Sequence, residues 1–155
     1  EMISTALEIL DRAKEKNVKI HLPSDVVCAK EFSNDAETKN FDIYNIPDDY
    51  EGMDAGKNSI EAFRKVVLDS KTILWNGPVG VFEFSNFSNG TKELGNLVAE
   101  STANGAFSLV GGGDSVAAVK KLGLQDSVSY VSTGGGAMLE SLEGKTLPGI
   151  SALSN

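Results

Sequence analysis

Apolar residues at Met2, Ile3, Ala6, Leu7, Leu10 and Ala13 recur three and four apart, so the chain opens inside an amphipathic helix. No Ser, Thr or Asp precedes that helix as a cap and no initiator methionine stands first, which points to a piece of a longer chain. Residues 18–22 read as a short strand ended by Pro23. The polar stretch "SNDAETK" separates two β-like runs, "DVVCAKEF" and "KNFDIYNI", which form an antiparallel excursion from the main pattern. "PDDYEGMDAGK" reads as a loop, and residues 58–70 as a helix with Ile60, Phe63, Val66 and Val67 on one face. From residue 71 the pattern alternates: strands at 73–75, 106–110 and 128–131, helices at 91–105, 114–122 and 135–142. These strands are short and apolar on both sides, the pattern of a parallel sheet with helices on both faces. The expected class is α/β, with the small antiparallel excursion beside the parallel sheet.

Composition narrows the function classes. A chain of 155 residues can bury a sizeable core as one domain. No stretch approaches the ~18 apolar residues of a membrane span. The net charge of −8 argues against nucleic acid or an acidic membrane as partner, so any anionic ligand must be held by local features. One cysteine, Cys28, excludes an internal disulfide and points to a reducing compartment. One histidine, His21, counts against a histidine metal cluster or a Ser-His-Asp triad and reads as structural or solvated. Trp75 and Cys28 read as core residues, and the lysines at 120–121 as a solvated helix end that complements the helix dipole.

Right-handed crossovers bring every strand-to-helix turn of such a sheet to one edge, where ligands bind. Three segments arrive there: "WNGPVGVFE", "GGGDS" and "STGGG". The last two put glycines directly before a helix, whose first amides are unpaired and carry partial positive charge. A phosphate fits such a site without a lysine, although a tight turn alone would also use the glycines. Asp114 is equally an N-cap or a carboxylate bridged to phosphate by Mg²⁺. In the first segment Gly77, Pro78 and Gly80 give a flat surface that could face a planar ring. Glu83 there is either an exposed acid or an acceptor for hydroxyls. Val116 breaks a dinucleotide-binding glycine fingerprint and Leu139 breaks a P-loop, so neither motif is present.

"ILWNGPVGVFEF", "AFSLVGGGDSVAAVKKLG" and "STGGGAMLESLEGKTLPG", in that order, closely resemble the C-terminal signatures of phosphoglycerate kinase; "IHLPSDVVCAKEF" and "GMDAGKNSIEAF" match as well. The resemblance covers essentially the whole chain. It implies the later part of the family's C-terminal, Rossmann-like nucleotide-binding lobe, without the lobe that binds 3-phosphoglycerate. It also implies a cytoplasmic enzyme of glycolysis, monomeric at full length, that transfers a phosphoryl group between Mg-ATP and 3-phosphoglycerate. By residue match, Asp114 would ligate Mg²⁺, and Gly112, Gly113 and Ser115 would meet the phosphates of ATP or ADP at the helix start. Thr133, Gly134 and Gly135 would line the path of the transferred group, Gly112 and Gly135 being closest to the chemistry. Asn76, Pro78, Gly80 and Val81 would border the nucleotide, Glu83 would bond the ribose hydroxyls, and Gly52 and Met53 would wall the adenine. Ala55 and Lys57 stand where the family usually has a branched apolar residue and a proline, which implies a softer edge to the adenine pocket. The isolated chain is expected to be inactive; the competing expectation is a folded module that holds no nucleotide.

Overall fold

The computed structural model describes residues 2–153. Helix α1 (Met2–Glu15) forms as its apolar spacing requires but buries none of its residues; Met2, Ile3, Leu7 and Leu10 face solvent. The chain leaves it through Asn17, whose φ of 53° lies in the left-handed region that asparagine tolerates. The Val18 amide closes this turn on the Ala13 carbonyl at 2.8 Å. Residues 18–22, expected as a strand, join neither sheet. Val18, Ile20 and Leu22 stay exposed, so apolar composition there found no neighbouring strand to pair with.

Three strands, β1 (Asp25–Ala29), β2 (Lys39–Asp42) and β3 (Glu51–Ala55), make an antiparallel sheet in the order β2-β1-β3. The first two are the anticipated excursion. The third corrects the expected loop at 47–57. Gly52 and Asp54 are poor strand formers, but pairing with the central strand β1 overrides propensity. Val26 opposes Ala55 and Cys28 opposes Gly52, with a bulge between Val27 and Cys28. Met53 and Ala55 are thereby buried.

Next come α2 (Lys57–Asp69), β4 (Thr72–Trp75), α3 (Asn89–Ala103), β5 (Phe107–Val110), α4 (Gly113–Lys121), β6 (Tyr130–Val131), α5 (Gly135–Leu142) and α6 (Pro148–Leu153). Strands β4, β5 and β6 form a parallel sheet in that order, with Trp75 opposite Val110 and Val110 opposite Val131. The period of two splits the sheet into faces. Trp75 and Val110 pack with Val98 of α3, Val119 of α4 and Val128, and Val67 of α2 leans on this cluster. Fully burying a side chain of this size stabilises by roughly 1.5–3 kcal/mol. On the other face Leu74, Phe107 and Tyr130 are 44%, 52% and 59% exposed. A second core joins Ala29, Met53 and Phe87, welding the antiparallel sheet to the segment that follows β4. Cys28 is fully buried, and burial pushes its thiol pKa up. His21 is exposed.

Candidate functional site

The segment leaving β4 is pinned along its length. Trp75 Nε1 donates to the Gly77 carbonyl at 2.8 Å, and the Gly77 amide donates to Ser115 Oγ at 2.5 Å. The Val79 amide donates to Thr91 Oγ1 at 3.3 Å, and the Val81 amide to the Met53 carbonyl at 2.9 Å. The last of these seats the segment against β3. Between them lies an open, mostly apolar cavity of about 330 Å³, lined among others by Gly52, Met53, Pro78, Gly80 and Val81. Gly52 and Met53, expected at the adenine, and Pro78, Gly80 and Val81, expected along the nucleotide, therefore share one cavity. Gly80 has a further reason: a Cβ there would overlap the Asp54 carboxylate.

The two glycine loops meet. Gly112 has a φ of 89°, a conformation that side-chain-bearing residues rarely adopt. A Cβ on Gly135 would lie 2.5 Å from the Gly112 amide nitrogen, so the loops are in main-chain contact. A cavity of about 280 Å³ opens beside them, lined by Gly112, Gly113, Ser132, Thr133, Gly135 and Lys120, with Val116. In α4 the amide of Val116 is the first to bond a Gly112 carbonyl, and in α5 the amide of Met138 bonds that of Gly134. The amides before them are the orphan donors of two neighbouring helix starts. Asn76 joins this group: a Cβ on Gly112 would lie 2.5 Å from Asn76 Oδ1. Residues 78–81 thus line the first cavity, and Asn76 lies against Gly112, which lines the second.

The acids divide into structural and free ones. Asp54, buried in β3, accepts from the Gly90 amide at 2.8 Å and the Ala55 amide at 2.9 Å, and also from the Asn89 amide. It caps α3 from outside the helix. Burial raises its pKa, against the lowering pull of those amides. Asp25 does the same for α2, accepting from the Ser59 amide at 2.7 Å and the Asn58 amide at 3.1 Å. Desolvation opposes its charge, yet the Ser59 hydroxyl and these amides outweigh it and hold the pKa below the usual value. Asp114 is different. The N-cap of α4 is Gly112 and no side chain caps that helix, so Asp114 stands exposed in the first turn. It enters none of the hydrogen bonds or ion pairs found among the described residues. It adjoins Gly113 without lining the cavity, as Gly134 adjoins Gly135. Glu83 is exposed and lines neither cavity.

A sequence model described as phosphoglycerate kinase matches residues 1–145. The chain belongs to the phosphoglycerate kinase family. It is 61% identical over 153 residues to the phosphoglycerate kinase of Porphyromonas gingivalis, covering 99% of this chain and 37% of that protein. It is 51% identical to that of Thermosipho africanus, covering 100% and 39%. Among solved structures, the phosphoglycerate kinase of Coxiella burnetii superposes with a TM-score of 0.89 at 46% identity, over 96% of this chain and 38% of that one. That of Pyrococcus horikoshii OT3 does so at 0.74 and 31%, over 99% and 38%. The chain spans under two-fifths of the length of the curated relatives it matches.

Three features of this chain escaped the sequence. Asp54 was hidden in a presumed loop, and nothing local names α3 as its target. Ser115 is buried, and its hydroxyl accepts from the Gly77 amide and so ties α4 to the segment after β4. Lys121 is exposed in the last turn of α4, as expected, but its Nζ also donates to the Phe82 carbonyl at 2.8 Å and the Glu83 carbonyl at 3.1 Å.

Proposed function

We propose that this chain forms the nucleotide-binding part of a phosphoglycerate kinase, which transfers a phosphoryl group between ATP and the carboxylate of 3-phosphoglycerate. One observation carries the reading: Gly135 lies against Gly112, setting two uncapped helix starts beside one cavity. Their amides supply preorganised donors for the phosphates of ADP or ATP. Gly112, Gly113 and the Ser115 amide grip the nucleotide tail, while Thr133, Gly134 and Gly135 line the path of the transferred group. The cavity of Gly52, Met53, Pro78, Gly80 and Val81 takes the adenine, with Asn76 bordering the nucleotide beside Gly112 and Glu83 bonding the ribose hydroxyls. Ala55 lies in the wall of the adenine cavity, so its small side chain leaves that edge soft.

The donor set fits Mg²⁺ of one particular kind. No group of three or more His, Cys, Asp or Glu side chains that could hold a metal exists among the described residues. Asp114 is a free carboxylate next to the phosphate loop, which suits an ion held by one acid, phosphate oxygens and water. When bound, Mg²⁺ neutralises charge on the phosphates. The acceptor is another matter. Among the described residues only Lys120 brings positive charge to the phosphate cavity, and the chain's net charge is −8. We assign 3-phosphoglycerate to the remainder of the whole kinase, in the cytoplasm and as a monomer, and expect no turnover from this chain alone. Closure of the two parts would exclude water from the transfer.

Isothermal titration with ADP, with and without Mg²⁺, tests this. Saturable binding that strengthens with Mg²⁺ is expected, and Asp114→Asn is expected to abolish the Mg²⁺ effect while leaving the melting temperature unchanged. A folded chain that takes up no ADP would support the rival reading, a module that holds no nucleotide.

A further inference from the structure

Lysines in the last turn of a helix ordinarily serve that helix's own terminal carbonyls. Lys121 does not. It ends α4, yet its ammonium reaches two consecutive carbonyls in another part of the chain, those of Phe82 and Glu83, at 2.8 and 3.1 Å. It also stands 5.9 Å from the centre of the Phe82 ring, which is buried. A cation shared by successive carbonyls fixes the relative rotation of the two peptide units that flank the Glu83 Cα. That rotation sets the direction in which the Cα–Cβ bond of Glu83 leaves the backbone. The residue is otherwise weakly tethered: Phe82 and Phe84 are held by turn bonds to the Gly80 and Val81 carbonyls, and no amide bond holds Glu83. Lys121 forms no ion pair with the Glu83 carboxylate among the described residues, so that carboxylate stays free for a ligand.

We propose that Lys121 is a positioning residue that aims the Glu83 carboxylate at the vicinal hydroxyls of a nucleotide's ribose. This rests on the nucleotide reading above. Its consequence is that one rigid helix serves both ends of the ligand. The start of α4 presents Asp114 and the phosphate amides, and its end fixes the residue that reads the sugar. The contact acts on the sugar and not on the phosphates, so its loss is felt only by ligands that carry the diol.

Titrations of the full chain with Mg-ADP and with Mg-2′,3′-dideoxy-ADP separate this from simple packing. Lys121→Met is expected to weaken ADP about tenfold, the scale of one charge-assisted hydrogen bond, and to leave the dideoxy compound unchanged. Lys121→Arg should restore most of the loss, because a guanidinium can still bond both carbonyls. Lys121→Met combined with Glu83→Gln should bind ADP no more weakly than Glu83→Gln alone. Equal weakening of both ligands by Lys121→Met, or additive losses in the double variant, would overturn the proposal while leaving the nucleotide reading intact. Failure of the unaltered chain to bind either ligand would overturn both. Unaltered-chain affinity that ignores the diol would overturn this one together with the ribose role of Glu83, and leave the phosphate and adenine assignments standing.

Discussion

Gly135 and Gly112 carry the most weight of any residue pair in the chain. A Cβ on Gly135 would strike main-chain atoms of Gly112, which cannot swing aside as a side chain would. Gly135→Ala should therefore lower stability by about 1–3 kcal/mol, read as a drop in the urea midpoint, and weaken ADP in parallel. An alanine variant with the original midpoint would mean that the loops do not touch. The glycines themselves were visible as letters, because a glycine run between an apolar strand and a helix has few other uses. Asp54, Ser115 and Lys121 were not. Their partners lie 36, 38 and 39 residues away in the chain, and no local pattern encodes a contact at that separation.

At the scale of elements, two helices are capped by acids that strands supply. Asp25 sits at the start of β1 and serves α2; Asp54 sits in β3 and serves α3. Each acid pins a helix to the sheet and satisfies amides that would otherwise be orphaned. Asp25→Ala should cost about 1 kcal/mol at pH 7, as for other lost caps. The pH dependence has a definite sign. The folded pKa of Asp25 lies below its unfolded value, about 3.9. Its stabilisation is complete above that value and fades as pH falls through the folded one. Chemical denaturation should show the variant's deficit shrinking from pH 5 towards pH 3; a deficit that stays constant over that interval would remove the charge from the explanation. The alternating second half of the fold was legible because each strand is a short apolar run punctuated by Gly, Pro or Asn. β3 was not legible because its sequence, EGMDA, carries no alternation; β1 recruits it through backbone pairing. The apolar residues at 18–22 show the converse error, a strand-like composition without a strand to pair with.

The whole molecule presents apolar surface that its own described residues leave open. Helix α1 buries nothing, and Leu74, Phe107 and Tyr130 line up on the outer face of the parallel sheet. Isolated exposed apolar residues are ordinary, but a contiguous patch is not. The native chain should raise the fluorescence of an apolar dye such as ANS, and Tyr130→Lys with Phe107→Lys should reduce it; a native chain that leaves the dye dark would contradict this surface. The site lies on the sheet edge, away from that face, and its working claim is that amides of two separate loops grip one nucleotide tail. Amide-resolved NMR of the chain titrated with Mg-ADP tests this most directly. The largest shifts should fall together at residues 112–115 and 134–136, with one shared saturation curve. Shifts confined to one of the loops, or two loops that saturate at different concentrations, would contradict the account.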